Sequence, residues 1–306
     1  MDLNLDGKVA IVTGVGPNIG TGIALALAAY GAKVACNDVI PEAAERIAER
    51  IRSHGHEAIA IPGDVTKEDV VAGYVDDVVR EWGGVDIVVN NAAAMGQSAG
   101  VLDEDAESFM RQVAVTGAGS LLNTKYAARV MADQGQHGSI VCISSSSGWL
   151  ANPGYIAYSF HKGGINNFVR AAAMELAPYG IRVNGFTPTA PTPDNPELLA
   201  RQQSKADRFA YVHPEGDEPW RRPVRWTGER PPFAPMGTTG TPTDIGHAVA
   251  WICSDYARLI TGCDFTVDGG LRAKNPMHIP APPEEIVPPL PVVPLFAEDR
   301  APTAIP

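Results

Sequence analysis

Cysteine is scarce in this chain, with four in 306 residues. Cys36, Cys142, Cys253 and Cys263 are scattered, none forms a CxxC pair, and Cys36 and Cys142 fall inside apolar runs. That usage points away from a disulfide scaffold and toward small buried hydrophobes in a reducing compartment. It also argues against a metal site, since His54 and His56 flank a glycine with no cysteine beside them. Basic charge is in short supply too: 24 Lys and Arg stand against 35 Asp and Glu, a net charge of −11. Nucleic acids and anionic membranes attract basic patches, so neither is an expected partner. No stretch approaches the roughly 20 apolar residues of a membrane span. The N-terminal segment places two Asp before a short apolar run, unlike a signal peptide. The expectation is a soluble cytoplasmic protein whose partner is a small molecule.

What is present is a hydrophobic content of 45%, enough for a sizeable core. Short β-branched runs at 8–13, 33–37, 58–61, 86–90, 139–144 and 181–186 alternate with helical patterns at 19–30, 41–53, 67–82, 105–133 and 155–178. Runs this apolar fit strands buried on both faces. Strand–helix–strand alternation predicts a single α/β domain, a doubly wound parallel sheet with helices on both sides.

The first strand runs into Thr13–Gly20, TGVGPNIG. A glycine turn between a strand and a helix lets backbone approach a pyrophosphate while helix-start N–H groups face its charge. Gly14, Gly16 and Gly20 do not keep the strict GxGxxG spacing, and Asn18 stands where a further glycine is wanted. Asparagine is the residue after glycine that best tolerates positive φ, so the turn is expected to survive. Asp38 ends the second strand, 18 residues after Gly20. A carboxylate there accepts hydrogen bonds from ribose hydroxyls and repels a 2′-phosphate, which predicts NAD rather than NADP.

Tyr158 and Lys162 are four residues apart in YSFHK, on one face of a helix. A nearby ammonium lowers a phenol's pKa and makes it an acid/base for a carbinol or carbonyl oxygen. On its own the pair also fits an exposed i,i+4 contact. Thirteen residues upstream is Ser145, one of four consecutive serines at a strand end, with Ser146 the next candidate.

These motifs, in this order, resemble the classical short-chain dehydrogenase/reductase family, and the resemblance spans residues 6–272. TGVGPNIG is similar to its TGxxxGxG, Asp64-Val65 to its adenine-contacting pair, and Asn90–Ala93 to its NNAG. Pro188-Thr189-Ala190-Pro191-Thr192 resembles its PGxxxT, and Ile260–Gly262 with Val267–Gly270 its last strand's flanks. The resemblance implies a Rossmann-like sheet of about seven strands, an oxidoreductase moving a hydride between NAD and a secondary alcohol or ketone, and a homodimer or homotetramer. It implies catalysis by Ser145, Tyr158 and Lys162. It implies cofactor contacts at Thr13, Gly14, Asn18, Ile19, Gly20, Asp38, Asp64, Val65, Asn91, Ala92, Tyr158, Lys162, Pro188, Thr189 and Thr192. Four positions depart from the pattern: Asn18, Ala93, Thr189 and Ala114. Where Ala114 stands the family commonly has an Asn that helps hold a water behind the lysine, and Ala has no side-chain hydrogen bond to give. The Thr116 hydroxyl is a candidate substitute.

Residues 190–240 form a long segment at the family's substrate-lid position, with Phe209, Tyr211, Trp220, Trp226 and Phe233. Long aromatic loops of this kind are functional rather than disordered, and a bulky, apolar substrate is expected: steroid-like, terpenoid or polycyclic aromatic. Arg221, Arg222, Arg225 and Arg230 beside them pair either with protein acidic groups or with a substrate carboxylate. Residues 276–306 hold 10 of the 26 prolines together with Ile286, Leu290, Leu295 and Phe296. This extension, 273–306, is expected to dock on a neighbouring subunit. Two other functions stay open: an NAD-binding protein with little turnover, and a dehydratase or epimerase on the same fold.

Overall fold

The computed structural model describes residues 3–135, 137–151, 153–189, 191, 236, 240–273 and 292–296. The chain begins with strand β1 (Val9–Thr13), every residue of which is buried. It pairs in parallel with β2 (Lys33–Asn37) on one side and β4 (Ile87–Asn90) on the other. With β3 (Ala58–Ala60), β5 (Gly138–Ile143), β6 (Ile181–Pro188) and β7 (Asp264–Val267) it builds a seven-stranded parallel sheet of order β3-β2-β1-β4-β5-β6-β7. The order reverses beside β1, and ligands of such sheets bind at the C-terminal strand ends near that switch.

Side chains along each strand divide between two cores, as period-two geometry requires. Ala10, Val12, Val89 and Ile143 point to one face. Val9, Ile11, Val88 and Cys142 point to the other. The first face is covered by α1 (Ile19–Ala29), α2 (Pro41–Ser53) and α7 (Pro242–Cys253), through Ile23, Leu27, Ile47, Ile51, Ile245 and Val249. The second is covered by α3 (Glu68–Trp82), α5 (Gly119–Gln134) and α6 (Ile156–Leu176), through Val71, Val75, Met131, Ile165 and Val169. Helices α1 and α7 approach to backbone contact. A Cβ at Gly22 would lie 2.2 Å from the Pro242 carbonyl oxygen, and one at Gly246 would lie 2.3 Å from that of Gly22.

Local chemistry sets the helix ends. Pro41 opens α2, where its missing N–H costs nothing. Gly83 and Gly135 close α3 and α5 in left-handed conformation. Thr241 and Asp244 form a reciprocal capping box at α7, with the Thr241 amide donating to the Asp244 carboxylate at 2.7 Å.

The helix expected over 105–133 has a finer structure. After α4 (Ala106–Val113) the backbone widens into a π turn, Ala114–Ala118, before continuing as α5. Such bulges are frequent at functional sites. Gly119, just beyond, lets α5 close on Val65: a Cβ there would lie 2.8 Å from a Val65 methyl.

The described part of the C-terminal extension packs on its own chain. Phe296 stacks on His54 with ring centroids 3.9 Å apart and joins the core under α1 and α2. Nε2 of His247 lies 2.7 Å from the Val293 carbonyl and Nδ1 lies 2.8 Å from the Tyr30 hydroxyl. A carbonyl only accepts, so Nε2 carries a proton toward Val293. The expected docking of the extension on a neighbouring subunit concerns residues that mostly lie outside the described ones. No described helix is long and apolar enough to cross a membrane.

Candidate active site

The described residues singled out from the sequence lie at the C-terminal ends of the strands and in the segments that follow them. On the β1–β4 side, Thr13 and Asn91 tie the glycine turn to its neighbour strand. The Thr13 hydroxyl accepts from the Asn91 and Ala92 amides at 3.1 and 3.2 Å. Asn91 Nδ2 donates to the Thr13 and Gly14 carbonyls at 3.1 and 2.7 Å. Gly14 has φ +66°, and a Cβ on it would strike Ala92 Cα at 2.8 Å. Gly20 is tighter still, with an added Cβ 2.0 Å from the Gly14 oxygen. Both positions require glycine by contact, and Gly14 by conformation as well.

Asn18 holds φ 109°, ψ −130° at the N-cap of α1, with no capping hydrogen bond from its side chain. This lies outside the left-handed helical region that asparagine tolerates and close to one populated almost only by glycine. Its Oδ1 is buried and unpartnered. Next to it Ile19 opens α1. Asp38, at the β2 end, is held by two amides: Gly16 N–H to Oδ2 at 2.8 Å and Ile40 N–H to Oδ1 at 3.0 Å. Asp64 accepts from the Thr66 amide and hydroxyl at 2.9 and 2.8 Å, and Val65 is buried against Gly119.

On the β5–β6 side, Ser145 follows β5 and caps a short 3-10 turn, Ser146–Gly148. Of the four serines it is Ser145 whose hydroxyl acts on the Tyr158 phenol, opposing the rise in its pKa. The turn is locked to α6: Ser144 Oγ donates to Asn166 Oδ1 at 2.5 Å, and Asn166 Nδ2 donates to the Gly148 carbonyl at 3.0 Å. A Cβ on Gly148 would lie 2.7 Å from the Lys162 carbonyl oxygen. Lys162 is buried, its Nζ 5.8 Å from the Tyr158 ring centroid and donating to the Ile143 carbonyl at 2.7 Å.

Burial lowers the Lys162 ammonium to about 8, while the buried Cys142 beneath it pulls the other way. Burial raises the Tyr158 pKa, and the Ser145 hydrogen bond opposes that rise. The direction differs from that expected of a tyrosine beside a cation. Lys162 aims at the Ile143 carbonyl rather than at the phenol, so desolvation of the phenolate dominates. A cleft lined by Met95, Gln97, Glu104, Gln112 and Tyr155 opens on Tyr158.

Pro188 ends β6 and Thr189 follows, its Oγ1 buried without a partner. Thr192 and nearly all of the lid lie outside the described residues; the Met236 amide, near the lid's end, donates to the Gly269 carbonyl at 3.0 Å. Sequence reasoning missed a polar network beside the site. Thr187 Oγ1 donates to Asp264 at 2.8 Å, Arg272 pairs with the same carboxylate at 2.9 Å, and its guanidinium lies 4.4 Å from the Trp149 ring centroid. No spacing rule relates these residues, because β6, β7 and the 3-10 turn come together only in the folded sheet. His161 was also passed over, although YSFHK contains it. Among the described residues no cluster of three potential metal ligands occurs.

Comparison with known proteins gives concordant matches. A family profile described as short chain dehydrogenase matches residues 8–202, and one described as enoyl-(acyl carrier protein) reductase matches residues 228–272. Versicolorin reductase 1 of Aspergillus parasiticus is 35% identical, over 87% of this chain and 97% of its own length. The mitochondrial (-)-isopiperitenol/(-)-carveol dehydrogenase of Mentha piperita is 34% identical, over 88% and 94%. The crystal structure of NAD+-bound xylitol dehydrogenase superposes with a TM-score of 0.74 at 32% identity, covering 87% of this chain and all of that one.

Proposed function

The chain belongs to the short-chain dehydrogenase/reductase family, and from that premise we propose that it is an NAD-dependent oxidoreductase acting on a secondary alcohol or its ketone. The observation that carries the proposal is the placement of Ser145 after β5 and of Tyr158 beside buried Lys162, whose Nζ lies 5.8 Å from the phenol ring centroid, at the sheet's C-terminal edge.

The residues present fit a dinucleotide. Glycines keep the first turn bare of side chains, two buried polar atoms, Asn18 Oδ1 and Thr189 Oγ1, wait for partners, and two amides orient the Asp38 carboxylate. Bound there, the nicotinamide supplies hydride acceptance and donation. Asp38 favours ribose hydroxyls over a 2′-phosphate, which supports NAD over NADP. Thr13, Gly14, Asn18, Ile19 and Gly20 serve the phosphates, and Asp64, Val65, Asn91 and Ala92 the adenine side and ribose. Pro188, Thr189 and Thr192 border the nicotinamide. Ser145 holds the substrate oxygen, Tyr158 exchanges its proton, and Lys162 keeps positive charge beneath the phenol. With its pKa raised, Tyr158 rests as a neutral phenol, ready to donate in ketone reduction; alcohol oxidation needs it deprotonated.

The long aromatic lid supports a bulky, apolar substrate, and exposed apolar residues on α5 and α6, Leu121, Phe160 and Met174, support a homodimer or homotetramer. A second reading, NAD binding with little turnover, is favoured by Ala114, which contributes no polar group near Lys162. The two are separated by following reduced-nicotinamide absorbance with NAD or NADP and a panel of bulky secondary alcohols. Turnover with NAD alone is expected. Tight NAD binding without turnover across the panel favours the second reading.

A further inference from the structure

We propose that Trp149 is a stacking platform in the substrate site and that it selects a planar, electron-rich aromatic ring system carried by the substrate. The inference rests on the oxidoreductase reading and deepens it, since it chooses one class from among bulky apolar alcohols and ketones.

The position of the indole comes first. Ser145 caps the 3-10 turn Ser146–Gly148, and Trp149 closes it, its amide donating to the Ser146 carbonyl at 3.0 Å. A 3-10 helix rises about 2.0 Å per residue, so serine and tryptophan stand about 8 Å apart along that turn. Across the sheet the Ser144 amide donates to the Phe186 carbonyl at 2.7 Å, which sets the β5 exit beside Thr187 on β6. The indole Nε1–H donates to the Thr187 hydroxyl at 3.3 Å. The ring is thus anchored two residues before Thr189, on the strand end that borders the nicotinamide in the proposed complex.

Its mount is a closed circuit of four side chains. Thr187 Oγ1 donates to the Asp264 carboxylate at 2.8 Å, and Arg272 Nη1 pairs with that carboxylate at 2.9 Å. The Arg272 guanidinium then returns to the indole, 4.4 Å from its ring centroid. A cation that close to an aromatic face is attracted by the ring's quadrupole. Arg272 is fixed through its backbone as well, its amide donating to Asp268 at 2.7 Å. Gly185 on β6 leaves room for the shared carboxylate: an added Cβ would lie 2.9 Å from Asp264 Oδ1.

One edge and one face of the indole are therefore taken, yet Trp149 remains 42% exposed. That exposure falls on the opposite face and the benzo edge. Leaving apolar ring surface in water is unfavourable, and here the surface sits on a rigid mount. A ring fixed in advance loses little freedom when a ligand stacks on it. Aromatic rings prefer offset stacking because their faces are negative. The guanidinium behind the indole draws π density toward itself, so the outer face is less negative than that of a free tryptophan and favours an electron-rich partner. It does not point to an anionic substrate group, since the Arg272 charge is already matched by Asp264. With the substrate oxygen at Ser145, a fused two-ring arene reaches the indole and a small alcohol does not.

The test uses the full chain, saturated with NAD and labelled with fluorotryptophan. Methoxynaphthalene is the probe, and methoxydecalin is its saturated, non-planar counterpart. Neither carries a carbinol, so neither is turned over. Fluorine NMR reads the Trp149 resonance, assigned by its loss in Trp149→Phe, and calorimetry gives each Kd. Methoxynaphthalene is expected to shift that resonance. Trp149→Leu should weaken its binding roughly two- to twelvefold, the worth of one aromatic pair, and leave methoxydecalin unchanged. Arg272→Met retains the indole and serves should Trp149→Leu fail to fold; it should shrink the preference for methoxynaphthalene over cyanonaphthalene. A Trp149 resonance unmoved at saturating probe overturns the platform, as does an equal loss for both probes in Trp149→Leu. An unchanged preference in Arg272→Met overturns the selection for electron-rich rings. In alcohol oxidation, Trp149→Leu should raise KM for naphthyl ethanol by the same factor and leave decalinyl ethanol as it was. A wild type that oxidises no alcohol sinks the oxidoreductase reading instead, and the probe titration then decides the platform alone.

Discussion

The two halves of the site are finished differently. Around the glycine turn, Thr13, Asn91, Asp38 and Asp64 are all engaged by neighbouring backbone, so the surface is set before any ligand arrives. On α6 and the π turn packed against it, the side chains of Thr116, Ser159 and His161 have buried polar atoms without a hydrogen bond of good geometry. A buried unsatisfied group costs about 1–3 kcal/mol. The cofactor half carries the same kind of penalty at Asn18, Asn37 and Asn90, so what distinguishes it is how many of its other polar groups are already held by backbone. Asn18 is in addition strained in φ.

The sharpest way to break this contrast is Tyr158→Phe. Turnover should fall about 10²- to 10⁴-fold, as for loss of a general acid/base, while NAD affinity by fluorescence quenching stays put. Equal losses in both would mean that the halves are not separable. Phe296→Ala addresses the core beneath the cofactor half and should destabilise by roughly 3 kcal/mol, read from urea unfolding; an unchanged midpoint would remove the extension from that core. Asp38→Ala should lower kcat/KM for NAD about ten- to a hundredfold, the worth of hydrogen bonds to a charged group, and narrow the gap to NADP.

The pH profile comes next. Because burial raises the Tyr158 pKa, the phenolate is the minor form near neutrality, so alcohol oxidation should climb with pH by up to about tenfold per unit. Ketone reduction should be flat below that pKa and fall above it. Oxidation independent of pH from neutral to mildly alkaline buffer would deny Tyr158 its role. The smallest effect is expected of Asn18→Gly. It should stabilise the fold by about 1 kcal/mol through relief of the positive φ, measured as a rise in Tm, and leave the Asp38-dependent cofactor preference unchanged.

Much of this was legible in the sequence because it is written locally. Strand runs, the glycine turn, Asp38 at a strand end and the Tyr158–Lys162 pair depend on spacings within one or two elements. The strand order and its switch at β1 follow from repeated right-handed crossovers. Less legible were features that depend on contact between distant segments. The π turn at Ala114 accompanies Gly119 closing on Val65. The direction of the Tyr158 shift turns on where Lys162 points, which i,i+4 spacing leaves open. The Trp149–Arg272–Asp264 network joins residues more than a hundred positions apart. Among four serines the thirteen-residue spacing to Tyr158 already favours Ser145, and it is the Ser145 hydroxyl that acts on the phenol.

The docking of Phe296 has a consequence for how the chain is made. Synthesis proceeds from the N-terminus, and domains tend to fold as their sequence emerges. Here the core beneath α1 and α2 takes residues from both ends: Leu3 and Leu5 at its start, Ile245 and Val249 of α7, and Phe296 last. The first half of the protein therefore cannot complete its interior while the ribosome still holds the final segment. Contacts spanning nearly the whole sequence close late and slow folding. Until then the nascent α1–α2 surface is apolar and uncovered, a stretch of time in which a chaperone, or another nascent copy, can find it first.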